Sequence, residues 1–222
     1  MKPAASHHDL AATLQAGVQA LGLDLSSAQQ QSLLDFLDLL QKWNKVYNLT
    51  SVRDPAEMMT HHLLDSLAAV APLQRHLAQA GLEAPRLLDV GSGGGLPGVV
   101  FAICCPQLDV SCVDTVAKKA AFIQQVAVTL KLRHLHGIHA RVESLVQPFD
   151  VVSCRAFASL LDFTTWSRAA LGEGAVWLAM KAKHPADEIA ALPADVQVFH
   201  VEPLTVPGLD AERCILWLRP QV

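Results

Sequence analysis

The stretch Leu87–Val99, L-L-D-V-G-S-G-G-G-L-P-G-V, constrains this chain more than any other. An apolar run closes on Asp89, and glycines follow at Gly91, Gly93, Gly94, Gly95 and Gly98. Such a run reads as a buried strand entering a tight turn and then a helix N-terminus, where backbone approaches a ligand closely because no Cβ intervenes. Doubly wound α/β sheets bind nucleotide-containing cofactors at such turns. Asp114 ends the next apolar run, L-D-V-S-C-V-D, 23 residues after Gly91. That is the offset at which a carboxylate takes the ribose hydroxyls of an adenosine. A plain glycine-rich surface turn would need none of this order of strand, glycines, helix and second acid.

The glycines alone leave the cofactor open. Gly93, Gly95 and Gly98 satisfy the G-x-G-x-x-G spacing, so a nicotinamide or flavin enzyme remains in play. Asp89 points elsewhere. A carboxylate at the mouth of that strand repels a pyrophosphate but suits a ligand bearing an ammonium and a sulfonium. S-adenosylmethionine is such a ligand.

The chain has 222 residues, 51% of them apolar and 17% charged, enough for one full α/β domain with a sizeable core and a small extension. No stretch has the uninterrupted apolar length of a membrane span. The start, M-K-P-A-A-S-H-H-D, lacks an apolar signal core, so a cytoplasmic location is expected. Cys104, Cys105, Cys112, Cys154 and Cys214 form no C-x-x-C pair and all sit in apolar runs, which reads as reduced core thiols. His61-His62 and His134-x-His136 lack a matching cysteine or carboxylate cluster, so no metal is expected. The net charge of −4 argues mildly against a polyanionic partner, yet Lys118, Lys119, Lys131, Arg133 and Arg141 fall in a stretch without acids. That stretch reads either as a local RNA-binding patch or as a solvated face.

Periodicity predicts an opening helix capped at Ser6 with Asp9, carrying Leu10, Leu14, Val18 and Leu21, and ended by Gly22. A longer helix opens at Ser26 or Ser27 and turns Leu33, Leu37, Leu40, Trp43 and Val46 to one face. Asp54-Pro55 starts another, expected to carry His62, Asp65 and Ser66 towards Pro72. Strands are expected at Arg86–Val90, Leu108–Val113, Gly137–Ala140, Phe149–Cys154, Ala175–Met180, Val196–Leu204 and Cys214–Leu218. Helices separate the first five, and Pro207-Gly208-Leu209-Asp210 joins the last two as an antiparallel pair. The expected architecture is a three-layer, Rossmann-like α/β fold with a mostly parallel seven-stranded sheet and an N-terminal helical extension.

Four strings carry a family resemblance: W43-N-K-V-Y-N-L-T-S-V-R-D54, H62-L-L-D-S66, D89-V-G-S-G-G-G-L-P-G98 and R155-A-F-A-S159, with L209-D-A-E-R213 as a later element. Together they resemble the bacterial 16S rRNA guanine-N7 methyltransferase family of the small ribosomal subunit, first named glucose-inhibited division protein B. The glycine motif is common to many methyltransferases, whereas W-N-K-x-Y-N-L-T-S and R-A-F-A-S are far more specific. The resemblance covers all but roughly the first thirty residues. It implies a helical extension over residues 1–80 packed on a class I methyltransferase core over 81–222, as one structural unit. It also implies that S-adenosylmethionine lies across Gly91, Gly93 and Leu96, with the adenine held at Val142-Glu143 and Arg155 assigned to the same site. Asp89 and Asp114 complete the expected cofactor set. The implied partner is 16S rRNA or the small subunit, and no oligomer is expected.

The implied reaction needs little acid–base help. Guanine N7 carries an in-plane lone pair and no proton, so no general base is required, and in-line approach matters most. The fourth strand ends V-S-C-R-A-F and lacks the [DN]-P-P-[YF] loop associated with methylation of exocyclic amines. An arginine bidentate to O6 and N7 blocks the nucleophile, so Arg155, Lys181 and Arg213 are expected on O6, phosphate or cofactor. Phe157 reads as a stacking platform for an extruded base or as core. Cys154 stands where the family usually has serine. With no proline beside it, it reads as structural and not as a covalent nucleophile. A nicotinamide oxidoreductase and a non-catalytic ribosome-binding module remain the alternatives.

Overall fold

A computed structural model describes residues 7–221. The N-terminal extension consists of α1 (His7–Ala20), α2 (Ser27–Tyr47), α3 (Pro55–Met58), a π-helical segment Met59–Leu64, α4 (Asp65–Leu67) and α5 (Val70–Ala80). The core alternates β1 (Arg86–Val90), α6 (Gly98–Cys104), β2 (Asp109–Asp114), α7 (Ala117–Thr129), β3 (Leu135–His139), β4 (Phe149–Arg155), α8 (Leu160–Trp166), β5 (Leu171–Lys181), α9 (Ala186–Ala190), β6 (Val196–Leu204) and β7 (Arg213–Pro220). The sheet order is β3-β2-β1-β4-β5-β7-β6, with β7 antiparallel to both of its neighbours.

Side chains alternate across the sheet and divide the core in two. Leu87, Val151, Val176, Leu178, Ile215 and Trp217 face the layer of α1, α2 and α4–α7. Leu88, Val152, Trp177, Ala179, Leu216 and Leu218 face the layer of α8. The first cluster runs without a break from Leu14 and Leu37 through Phe101 to Val110, so the extension and the sheet share one core. All seven strands were expected, five with shifted ends. β5 begins at Leu171 instead of Ala175, because glycines 172 and 174 still fit the strand entry beside Phe149.

The Ser26 cap forms as a reciprocal box with Gln29, and Asp54 caps α3 through the amides of Ala56 and Glu57. The Ser6 cap lies outside the described residues. Two expectations fail. The helix from Pro55 does not run on to Pro72: a π turn interrupts it, and α5 starts afresh at Val70. Pro72 is tolerated in the first turn of α5, where its missing N–H has no acceptor to serve, whereas in a continuing helix its ring meets the carbonyl of Ala68. Val46 also leaves the core and is 69% exposed. Asn44 is buried instead, its amide donating to Val52 O at 3.1 Å while its carbonyl accepts from Thr50 N at 2.9 Å. Those two bonds pin the chain after α2, which enters a left-handed turn at Asn48.

No helix among the described residues is long and apolar enough to cross a membrane.

Candidate active site

The crossovers after β1 and β4 leave the sheet on opposite faces, so a crevice opens between the C-terminal ends of these neighbouring strands. The glycine loop lies there, resting on the extension: a Cβ on Gly94 would stand 2.9 Å from Leu40 Cδ1. Over these strand ends runs a trough in two parts, of about 440 Å³ and about 620 Å³. The parts share Gly91 and Ala156. Ala156 holds a left-handed φ of 56°, a conformation costly for a residue with a Cβ.

The smaller part is lined by Asp114, Val116, Lys119, Val142, Glu143 and Phe157. Asp114 ends β2 with its carboxylate held in place: Oδ1 accepts from Val116 N at 2.9 Å, and Oδ2 accepts from Gly93 N at 3.1 Å and Lys119 Nζ at 3.3 Å. Val142 is buried on a 3₁₀ turn. The Glu143 carboxylate accepts from Arg141 at 2.8 Å, and both residues line this part. Phe157 packs against Phe163 and Trp166 at the wall of this part, not in the larger one.

Asp89 lies elsewhere than the sequence reading put it. Its side chain is fully buried and lines neither part. One carboxylate oxygen accepts from Gly98 N at 2.9 Å and the other from Ser153 Oγ at 3.0 Å. Asp89 braces the glycine loop from beneath and does not front a ligand. Because strand residues alternate, an acid two before the first glycine faces the α6 side and not the crevice. Burial pushes its pKa up to about 7, against the pull of the Gly98 and Ser153 hydrogen bonds. The folded state thus holds this proton at pH values where the unfolded chain has lost it. Stability conferred by the protonated form is present in acid and declines as pH rises from the ordinary carboxylate range to about 7. Urea midpoints across pH 4 to 8 should show this decline, at most about 1.4 kcal/mol per pH unit from one group, and Asp89→Asn should remove it. An unchanged profile in the variant would contradict the assignment.

The larger part is lined by Gly93, Leu96, Arg155, Lys181 and Arg213 together with Thr50, His62 and Asp65 of the extension. Here sequence reading assigned no role to the organising group. Asp65 Oδ2 accepts from Arg155 Nη1 at 2.9 Å, and its Oδ1 accepts from Arg213 Nε at 2.7 Å. His62 Nε2 stands 2.7 Å from Thr50 Oγ1, and its Nδ1 is 3.5 Å from Arg155 Nη2. Burial, then the Arg155 charge, lowers the His62 pKa to about 4, so the ring is neutral. H-L-L-D-S offered the signal, but the partners of Asp65 lie 90 and 148 positions away. Lys181 is paired with Glu188 at 2.8 Å.

Two further readings resolve in space. Cys154 is buried, borders neither part of the trough, and its thiol pKa is pushed well up by burial, which suits packing and not nucleophilic attack. In the basic stretch after Thr115, several groups are matched by nearby acids. Lys119 serves Asp114, Arg141 serves Glu143, and His136 lies 2.8 Å from Asp109.

The profile of the family described as GidB, rRNA small subunit methyltransferase G, matches residues 29–216. The chain belongs to this family. Among its relatives, the ribosomal RNA small subunit methyltransferase G of Acidovorax sp. (strain JS42) is 77% identical over 93% of this chain and 94% of that protein. The protein of the same name from Acidovorax ebreus (strain TPSY) is 75% identical over 97% of both. Family membership accords with the four strings above. In fold, the chain is similar to the N-methyltransferase NodS from Bradyrhizobium japonicum WM9, with a TM-score of 0.53 at 12% identity over 71% of this chain and 97% of that one.

Proposed function

We propose that the chain transfers the methyl group of S-adenosylmethionine to N7 of a guanine in 16S rRNA, within the decoding-region loop of the small ribosomal subunit. The observation that carries this reading is a single trough with two chemically different halves joined at Gly91 and Ala156. The smaller half fits an adenosine. Asp114 offers carboxylate oxygens at the end of β2, Val142 and Phe157 offer apolar faces, and Gly91 leaves backbone uncovered. Gly93 and Leu96 continue towards the methionine end, with Arg155 beside them. When bound, the cofactor supplies an electrophilic methyl group on a sulfonium. Asp89 contributes from beneath, through its grip on Gly98.

The larger half fits a guanine and its phosphate. Arg155, Lys181 and Arg213 converge there from the ends of β4 and β5 and the start of β7. The exposed edge of guanine presents O6 and N7 as acceptors, and N7 must be left open to the methyl group. The cations therefore serve O6 or phosphate. The only imidazole buried in that half, His62, is a weak base, and N7 carries no proton to remove. Positioning thus supplies the main catalytic advantage. On this reading the protein works in the cytoplasm as a monomer. Its net charge of −4 makes binding depend on the shape of a structured RNA and only weakly on salt.

Labelled S-adenosylmethionine incubated with small subunits lacking native base methylation should label 16S rRNA at one position. Reduction and aniline scission, which cut only at 7-methylguanosine, should then cleave the RNA there. Label without scission would move the target atom, and no label with cofactor bound would leave a binding module. In a thermal-shift screen S-adenosylhomocysteine should raise Tm, since it binds only the native state, and NADH should not.

A further inference from the structure

Asp65 stands between two guanidiniums in the half of the trough assigned to substrate, and each of its oxygens is committed to one of them. The three side chains come from the extension, from the end of β4 and from the start of β7. All are shielded from solvent, with side-chain exposures of 5% for Asp65, 18% for Arg155 and 20% for Arg213. Charge in such a place is poorly screened, so its balance acts on whatever binds beside it. Of the other titratable groups lining that half, Lys181 is matched by Glu188, His62 is neutral, burial raises the pKa of the Cys214 thiol, and His61 is exposed. The floor therefore carries two positive charges offset by one negative charge.

We propose that Asp65 is a charge-balancing positioning residue, whose carboxylate keeps Arg155 and Arg213 turned into the trough while cancelling enough of their charge for a cationic methyl donor to lie against them. The inference rests on the methyl-transfer reading above. The logic is electrostatic. Two guanidiniums suit O6 and phosphate oxygens, but they oppose a sulfonium. They stay unfavourable through the reaction, in which the S–CH₃ bond would break with its electron pair left on sulfur while the N7 lone pair forms the new bond. Sulfur thereby becomes neutral and the purine ring becomes cationic, so a cation sits against the floor before and after transfer. One carboxylate lets the site keep its arginines for RNA without expelling that charge. Arg155 Nη1 also donates to His61 O at 2.9 Å and Arg213 Nη1 to Glu212 O at 2.8 Å, so both guanidiniums are aimed from two sides.

The test compares two ligands that differ at sulfur, the cationic S-adenosylmethionine and the neutral S-adenosylhomocysteine, by calorimetric titration of the purified protein. Asp65→Asn should weaken the first at least tenfold relative to the second. Arg213→Gln should shift the ratio the other way, and the double variant should return it towards wild type. Asp65→Glu, which keeps the charge, should leave the ratio near its original value. A merely structural role for Asp65 would weaken both ligands alike, and the second substitution would not restore the ratio. An unchanged ratio in Asp65→Asn overturns the proposal while leaving the methyltransferase reading intact. If Asp65→Asn does not fold, the direction of the Arg213→Gln shift decides. Wild-type protein that binds neither ligand overturns both.

Discussion

Gly98→Ala should lower the melting temperature by about 10 °C and abolish S-adenosylhomocysteine binding. Gly98 opens α6 directly above β1 and β2, and its amide is a hydrogen-bond donor to Asp89. A Cβ there would stand 2.5 Å from Cys112 Sγ and 2.9 Å from Asp89 Oδ2, closer than van der Waals contact allows. Both neighbours are buried on strands and cannot swing away. Relief must come from lifting the start of α6, which stretches the bond to Asp89. Overpacking of this kind costs about 1–3 kcal/mol, and leaving a buried acceptor unpaired adds about as much. Thermal denaturation and ligand titration check the effect. Cys112→Ala added to Gly98→Ala removes the nearer obstacle and should recover part of the loss, as expected for sites in contact. A melting point within about 2 °C of wild type would mean that the loop tolerates the shift.

Asp114→Ala should weaken S-adenosylhomocysteine binding by about two orders of magnitude and lower stability less than Gly98→Ala does. The carboxylate has two tasks at the end of β2. It holds the Gly93 and Val116 amides, and so fixes the loop and the start of α7 relative to one another. With Lys119 also on Oδ2, one lone pair remains on Oδ1 for a ligand in the smaller half of the trough, where the ribose is proposed to lie. A hydrogen bond to a charged acceptor contributes about 1.5–3 kcal/mol, so loss of one, together with the loosened loop, accounts for the expected drop. Asp114→Asn should fall between the two proteins: its oxygen can still accept from one amide, but its NH₂ group meets the other amide donor to donor. Calorimetry on the three proteins gives the order directly. Equal affinities would remove Asp114 from the ligand's surroundings and leave it a purely structural cap.

Much of this protein was legible before its folding was considered, because much of it is local. The glycine loop, the Ser26 and Asp54 caps and the alternating apolar runs are properties of a few consecutive residues, and each appears where expected. Element ends were less legible. The fifth strand was expected to begin at Ala175, yet Leu171 pairs with Phe149 and β5 begins there. The exposure of Val46 turns on which side of a helix meets a neighbour, and helical periodicity does not say where a helix outruns its partner.

The same division holds in the candidate site. Sequence by itself determined which residues crowd the strand ends, since an acid or arginine closing an apolar run in a parallel sheet lands at the carboxyl edge, as Asp114 and Arg155 do. It also determined family membership, through strings whose residues are fixed in order. Only the tertiary structure decided what those residues face. Asp89 turned inward because the strand's period of two sends it to the α6 side, where burial, not a ligand, governs its proton. Asp65 became the centre of the arginine cluster because the start of α4, a strand end and a strand start meet in space. Charges placed far apart along a chain interact only at the distance folding gives them, and no spacing in the sequence encodes that distance.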